Sequence, residues 1–182
     1  FMAQVEQGSY ATSPTLTSLS AEGTTTTRVA ETCYGAGNAS TFNDSEGVLM
    51  VDISALANDG TYRLIQINDG TVNNMIAIGY TTISNQLLVE VRSAGGTIAN
   101  FTYTISDVLV NNKLSLKYKV NDVSLWVNGF EVQTITTVTM PIGLSTLNFD
   151  YNNSTLPFYG KAKQLQYFNT VLTSAELETL TS

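Results

Sequence analysis

The sequence predicts an all-β protein, an antiparallel two-sheet β-sandwich of jelly-roll type with one short C-terminal helix. Segments in which apolar and polar residues alternate with period two recur along the chain, as half-buried strands require. Turn dipeptides such as Asp69-Gly70 and Asn128-Gly129 separate these segments at short spacing, which is typical of sandwiches. A length of 182 residues suits one such domain.

The first half of the domain contains strand candidates bounded by turn-forming residues. Glu46–Ala57 opens with an apolar run and ends at Asn58-Asp59-Gly60. The next predicted strands are Thr61–Asn68, Asn74–Thr82, Gln86–Ser93 and Thr97–Ser106. In the last of these, alternation places Phe101 and Tyr103 on the face that we expect to be buried.

The stretch Lys113–Val132 carries the clearest strand pattern of the chain. Two alternating runs are joined at Asn121-Asp122, and Asn128-Gly129 then turns the chain again. One face of the second run carries Val123, Leu125 and Val127. Trp126, the only tryptophan, therefore falls on the opposite face, which the pattern marks as solvent-side.

Three further strands and a helix complete the predicted domain. The strands are predicted at Gln133–Thr139, Ser145–Tyr151 and Phe158–Val171. After them, Thr173 is the expected helix N-cap, and Glu176 three residues on completes a capping box. We expect this helix to dock on the edge of the sandwich through Ala175, Leu177 and Leu180.

The N-terminal segment differs from the rest of the chain. We expect residues 1–20 to be a strand and connector, or the end of a preceding module, because Ala11–Ala21 is rich in Thr, Ser and Pro and does not alternate. The sandwich domain is assigned to residues 21–182, with Thr24–Thr32 as its first predicted strand. A start at Phe1 without a signal peptide indicates a chain cut from a longer protein.

Composition excludes several classes of function. The net charge of −7, with 8 Lys and Arg against 15 Asp and Glu, argues against nucleic acid or anionic membranes as partners. No apolar run approaches the roughly 20 residues that span a bilayer. Without histidine, and with Cys33 as the single cysteine, an intrachain disulfide, a Cys/His zinc site and a His-activated nucleophile are excluded. Cys33 is expected to be a small buried side chain, and Arg28 a structural anchor.

Several C-terminal segments resemble a known family of sandwiches. They are LSLKYKVNDVSLWVNG at 114–129, STLNF at 145–149 and KQLQYFNTVLTSAEL at 163–177. This pattern resembles the concanavalin A-like lectin/glucanase (LamG-type) jelly rolls of phage tail and secreted bacterial proteins. QVEQGSYATSP at 4–14 and TTTRVAETC at 25–33 resemble the junctions between modules in phage tail fibres and in appended carbohydrate-binding proteins.

The resemblance implies a scaffold that includes glycoside hydrolases, so the acidic residues need a direct test. Laminarinase-like members carry a Glu-x-Asp-x-Glu or Glu-x-Asp-x-x-Glu strand, which places two carboxylates beside one glycosidic bond. Glu90-Val91-Arg92 has a single acid, and Asp150 is followed by no second acid at alternate spacing. We therefore expect no catalytic residues and no enzyme activity.

Trp126 is the first candidate for a ligand contact. An exposed indole would offer a flat platform to the apolar face of a sugar ring, beside the polar groups of Lys117 and Asn128. The alternative is that another segment covers this face and Trp126 packs beneath it. Modules that the chain resembles often carry Tyr at the matching position, which favours the packing role.

Loops supply the other candidates. Tyr34 with the turn Gly35–Asn38, Asn68-Asp69 with Asn73-Asn74, and Tyr151-Asn152-Asn153 could hydrogen-bond sugar hydroxyls. The same residue types are also what tight turns use for local backbone bonding. Of these, Tyr34, Tyr151 and Asn152 are retained as predicted ligand contacts.

No cofactor is expected, with a structural Ca²⁺ as the one open possibility. Lectin-like sandwiches often hold this ion in their loops, and Asp44, Asp59 and Asp69 are available as oxygen ligands. No spacing of EF-hand type appears, so the ligands of such an ion stay unassigned.

These observations give three hypotheses of function. The first is a non-catalytic module of a phage tail or tail fibre that binds a host polysaccharide or cell-surface glycan, in the virion or outside the cell. The second is a purely structural or oligomerisation module of a tail fibre, which would form a homotrimer. The third is a carbohydrate-binding module appended to a secreted bacterial glycanase.

Overall fold

The computed structural model describes residues 35–151 and 155–182. These residues contain ten strands and one helix, joined by turns and loops. The strands of the first half are β1 (Glu46–Ala55), β2 (Arg63–Asn68), β3 (Met75–Tyr80), β4 (Gln86–Ser93) and β5 (Gly96–Thr104). The second half contains β6 (Asn112–Lys119), β7 (Val123–Val127), β8 (Phe130–Ile135), β9 (Thr146–Asn148), β10 (Gly160–Phe168) and α1 (Ser174–Thr181).

The strands form two antiparallel five-stranded sheets. The first sheet has the order β10-β1-β6-β7-β8, and the second has the order β5-β4-β3-β2-β9. The predicted two-sheet sandwich with a C-terminal helix is therefore confirmed. The chain crosses between the sheets several times, so that β9 closes the edge beside β2 although it lies far from it in sequence.

The hydrophobic core lies between the two sheets. It is built from alternate residues of each strand, among them Leu49 and Val51 of β1 and Ile65 and Ile67 of β2, all fully buried. Burial of each such side chain contributes about 1.5–3 kcal/mol. Phe101 is buried in this core as the alternation predicts. In this description, the face of each sheet that points away from the core is called its outer face.

The predicted strand at Gln133–Thr139 is wrong in its limits. The turn at Asn128-Gly129 starts β8 at once, so the strand spans Phe130–Ile135 and residues 136–145 form a loop. The loop leaves the sheet because it bonds to the β6–β7 turn: the Asn121 backbone N–H donates to the Val138 carbonyl over 3.0 Å. Asn121 also accepts the Val138 backbone N–H through its side chain, over 3.2 Å.

The C-terminal helix has the predicted cap but not the predicted position. The Thr173 hydroxyl accepts from the Glu176 backbone N–H, and the Glu176 carboxylate accepts from the Thr173 backbone N–H, so the capping box is confirmed. Leu177 is fully buried, but it packs against the outer face of the first sheet, on Val48 and Trp126, and not on an edge. Ala175 stays exposed.

Some predictions fall outside the described residues. They are the connector at 1–20, the strand at Thr24–Thr32 and the roles of Arg28 and Cys33. The division into 1–20 and 21–182 therefore stays a prediction. Within the described ranges, no helix combines the length and the apolar character that crossing a lipid bilayer requires.

Candidate functional site on the outer face of the second sheet

The outer face of the first sheet is covered at Trp126, in line with the packing alternative. The alternation is right, since Trp126 points away from the main core, but only 6% of the residue is exposed. Leu177 of α1 packs on it, and its indole N–H donates to the Ser124 hydroxyl over 3.3 Å. Trp126 therefore packs beneath α1, as the packing interpretation expects.

The two polar residues predicted beside Trp126 also have local roles. The Lys117 ammonium pairs with the Asp122 carboxylate over 2.8 Å, across the β6–β7 hairpin. Asn128 has a φ of 48° at the β7–β8 turn, where its side chain accepts from the Lys113 backbone N–H and donates to Asn112. These side chains hold turns together and do not form one exposed surface with Trp126.

The amides near Asn68 follow the turn interpretation. Asn68 accepts the Gly70 backbone N–H over 2.8 Å, and Asn74 accepts the Ala94 backbone N–H over 3.1 Å. Asp69 accepts from Thr71 and from the Asn74 side chain. Burial alone would raise the pKa of Asp69, but these hydrogen bonds outweigh it and hold the pKa below the ordinary value.

The acids considered for Ca²⁺ lie apart and have other partners. Asp44 accepts the backbone N–H groups of Gly143 and Leu144 over 2.7 and 2.8 Å. Asp59 pairs with Arg63 over 2.7 Å, and this hydrogen bond lowers the pKa of Asp59. Among the described residues, no three metal-ligating side chains of His, Cys, Asp or Glu lie together. The structure therefore assigns no ligand set to the ion.

A cavity between loops at one end of the sandwich is one candidate for a ligand site. It measures about 440 Å³ and lies between residues 39–44, Gly143, Leu144 and Asn169. Its polar groups are hydrogen-bonded within the protein: the Asn43 amide donates to the Asn169 carbonyl over 2.8 Å and accepts the Ser45 backbone N–H. Asp44 is likewise occupied by backbone N–H groups. This cavity therefore has few polar groups left for a ligand.

The outer face of the second sheet has a different character. Strand register places Gln66 of β2 beside Ala77 of β3, and Ala77 beside Glu90 of β4. Arg92 lies one outward position further along β4, opposite Met75. Because outward residues of neighbouring strands line up in rows, one face collects an amide, a carboxylate and a guanidinium.

Gln66 is the most unusual residue of this face. It is 0% exposed, and neither atom of its amide group has a hydrogen-bond partner among the described residues. Its outward neighbours on β2 and β3, Leu64, Met75 and Ala77, are buried and apolar, and Asn148 lies opposite it on β9. Native proteins satisfy the great majority of buried polar atoms, so each one left over needs an explanation, and a functional role is one.

Arg92 and Tyr151 form a hydrogen bond on the face that carries this amide. The Arg92 guanidinium donates to the Tyr151 hydroxyl over 2.9 Å and pairs with the Glu90 carboxylate over 3.4 Å. Tyr151 follows β9, and β2 and β3 separate β9 from β4 by about 14 Å, or three strand spacings. The two side chains therefore meet outside β2 and β3, on the face that carries Gln66. We call Gln66, Glu90, Arg92 and Tyr151 the Gln66 site.

The Gln66 site contains one of the predicted ligand contacts. Tyr151 belongs to it, and its backbone N–H donates to the Thr155 carbonyl over 2.7 Å. Asn152 and Tyr34 lie outside the described residues, so their roles stay predictions. Gly35, next to Tyr34, donates its backbone N–H to the Asn148 side chain over 2.6 Å, at the β9 edge of the same sheet.

Sequence reasoning missed Gln66 and Arg92 as site residues. Both stand in well-formed strands, where a polar residue at an outward position is the ordinary pattern. The available signal was the position of Gln66 in TYRLIQIN, where the two amides Gln66 and Asn68 share a face with the apolar Leu64. That mixture indicates a covered face that nevertheless keeps a polar group.

The chemistry of the site suits binding of a polar, uncharged or weakly charged ligand. Gln66 and Arg92 supply hydrogen-bond donors, Gln66 and Glu90 supply acceptors, and Tyr151 supplies a ring. Glu90 is the one carboxylate of the set, and it is engaged by Arg92 and by the Thr97 hydroxyl at 3.2 Å. The set therefore lacks the pair of carboxylates that glycoside hydrolysis normally uses.

Several solved structures are similar to this chain. The CBM40 of the Ruminococcus gnavus IT-sialidase, bound to α2,3 sialyllactose, has a TM-score of 0.65 and 16% identity, over 84% of this chain and 97% of that chain. Domain 4 of AbnA, a GH43 extracellular arabinanase from Geobacillus stearothermophilus in complex with arabinotriose, has a TM-score of 0.62 and 12% identity, over 80% of this chain and 70% of that chain.

A third similar structure belongs to a much longer chain. The NanB sialidase of Streptococcus pneumoniae has a TM-score of 0.62 and 19% identity, over 79% of this chain but 25% of that chain. No protein-family model and no curated protein matches the sequence. At these identities, the comparisons establish the β-sandwich fold that this chain has in common with carbohydrate-binding modules.

Proposed function

We propose that this protein is a non-catalytic carbohydrate-binding module that acts outside the cell and binds a sugar at the Gln66 site. The observation that carries this proposal is the fully buried Gln66 amide, which has no hydrogen-bond partner among the described residues. A buried polar group without a partner destabilises the fold by about 1–3 kcal/mol. A ligand that hydrogen-bonds to the amide would offset this cost, which explains why a polar residue is kept at this position.

The composition of the site favours a sugar over other small ligands. Each sugar hydroxyl both donates and accepts a hydrogen bond, so it matches a site that mixes donors and acceptors. The Tyr151 ring adds a surface for the C–H face of a sugar. Two of the similar structures hold sialyllactose and arabinotriose, which supports carbohydrate as the ligand class.

The setting of the module is proposed from the same structures. The similar chains are parts of two sialidases and an arabinanase, which favours a module appended to a secreted glycan-processing enzyme. A module of a phage tail fibre is the second candidate, because segments 4–14 and 25–33 resemble the junctions of such fibres. Light scattering separates them, since a tail-fibre module is expected to be a homotrimer and an appended module a monomer.

The experiment is glycan-array screening of the full chain, followed by calorimetry on each glycan that binds. We expect Arg92→Ala to weaken binding about tenfold or more, because a charge-assisted hydrogen bond in a desolvated site is lost. Lys117→Ala is the matched control. Lys117 is also a partly buried cation in an ion pair on an outer face, but on the first sheet.

Two results would contradict the proposal. One is an array on which no glycan is retained. The other is binding that survives Arg92→Ala but is lost in Lys117→Ala, which would move the site to the first sheet. Circular dichroism of each variant checks that the fold persists.

A further inference from the structure

We infer that Gln66 determines specificity by binding two adjacent hydroxyl groups of one sugar, so that the protein requires a free vicinal diol. This inference rests on the proposed function and concerns the same site. Its starting point is that both polar atoms of the amide, Oε1 and Nε2, are buried without a partner among the described residues. The ligand must therefore satisfy an acceptor and a donor that lie side by side.

The shape of a primary amide selects among the groups that sugars carry. A carboxylate has acceptors only, so it would leave the amide oxygen of Gln66 without a donor. An acetamido group is a trans amide, in which the N–H and the carbonyl point in opposite directions and cannot both reach one Gln side chain. Adjacent hydroxyls can donate to Oε1 and accept from Nε2 at the same time.

The neighbours of Gln66 in the sheet make this selection strict. Leu64 on β2 and Met75 and Ala77 on β3 are apolar and offer no side-chain hydrogen bond. Asn148 lies opposite Gln66 on β9, and its side-chain oxygen accepts the Gly35 backbone N–H over 2.6 Å. A sugar that supplies one hydroxyl would leave the other amide atom buried and unsatisfied. Sites that hydrogen-bond a substrate group in this way reject analogues without it far more strongly than apolar pockets reject a missing methylene.

Access to the amide requires a movement of the residues above it. The hydrogen bond between Arg92 and Tyr151 spans β2 and β3, on the face that carries Gln66. A sugar that reaches Gln66 must part these two side chains. The Arg92 guanidinium then has a free N–H for a further oxygen of the same sugar.

The test is an oligosaccharide array that is probed before and after periodate oxidation and borohydride reduction. This treatment cleaves vicinal diols and leaves isolated hydroxyls and acetamido groups intact, so each glycan is its own control. We expect the retained signals to fall at least tenfold after oxidation. We expect Gln66→Met to lose the same signals on the untreated array.

A matched control is Gln86→Met. Gln86 belongs to β4 of the same sheet, but its side-chain oxygen accepts a hydrogen bond from the Thr81 hydroxyl over 3.0 Å. This variant should keep the wild-type signals. Retention of oxidised glycans overturns the inference and leaves the proposed function standing. Unchanged binding by Gln66→Met overturns the inference and also removes Gln66 from the proposed site, and Arg92→Ala then tests whether the sugar binds on this face. An array with no retained glycan overturns both. The periodate comparison uses the wild-type chain, so retained oxidised glycans would overturn the inference even if a variant does not fold.

Discussion

Replacing Gln66 by Met should stabilise the protein in the absence of ligand. The amide of Gln66 is fully buried and lacks hydrogen-bond partners among the described residues, and its neighbours on β2 and β3, Leu64, Met75 and Ala77, are apolar. Met has a similar length and no branch, so it fills the same space without leaving a cavity. Removing the buried, unsatisfied amide should therefore raise the free energy of unfolding by about 1–3 kcal/mol.

Urea unfolding of the wild type and the variant measures this change in the free energy of unfolding. For a domain of this size, each kcal/mol raises the Tm by about 2–4 °C. The control is Gln86→Met, which loses the hydrogen bond from Thr81 and should cost about 0.5–1.5 kcal/mol. The opposite signs of the two effects are the core of the prediction, because both variants exchange the same residue types.

A loss of stability in Gln66→Met would refute the reasoning. It would mean that the amide makes hydrogen bonds in solution that hold the fold together. A gain in stability combined with unchanged glycan binding would separate the two arguments: the amide would be unsatisfied, but it would not be a ligand contact.

Three further predictions concern other parts of the fold. Trp126→Ala should cost about 3–5 kcal/mol in urea unfolding, because it removes a large side chain buried under α1, and it should leave glycan affinity unchanged; lost affinity with unchanged stability would contradict this. Hydrogen bonds from the backbone and side chain of Thr173 lower the pKa of Glu176. The stabilising effect of its carboxylate is therefore present above the ordinary pKa of 4.5 and is lost as the pH falls through the lowered pKa. We expect the Tm of Glu176→Gln to lie below that of the wild type at neutral pH and to converge with it in acid. Asp44→Ala should cost about 1–3 kcal/mol and speed hydrogen exchange at the amides it binds in the loop 136–145, and unchanged exchange there would argue against this role.

The strands and their faces were largely predictable because they depend on local pattern. The predicted strand Gln86–Ser93 has the same first and last residues as β4. The predicted capping box forms at Thr173 and Glu176 with both of its hydrogen bonds. The error at Gln133–Thr139 arose where local alternation continued but the chain left the sheet. A hydrogen bond to Asn121, across a hairpin, decided that departure.

Alternation of apolar and polar residues by itself determined the fold class and the direction in which each side chain points. It could not determine what lies over an outward face, because the covering segments come from distant parts of the chain. Trp126 points outward as predicted, yet α1 covers it. Gln66 and Arg92 look like ordinary outward residues until Tyr151, 59 residues beyond Arg92, crosses over β2 and β3. The strand order that brings β9 beside β2 is a long-range feature, and it alone assembles the Gln66 site.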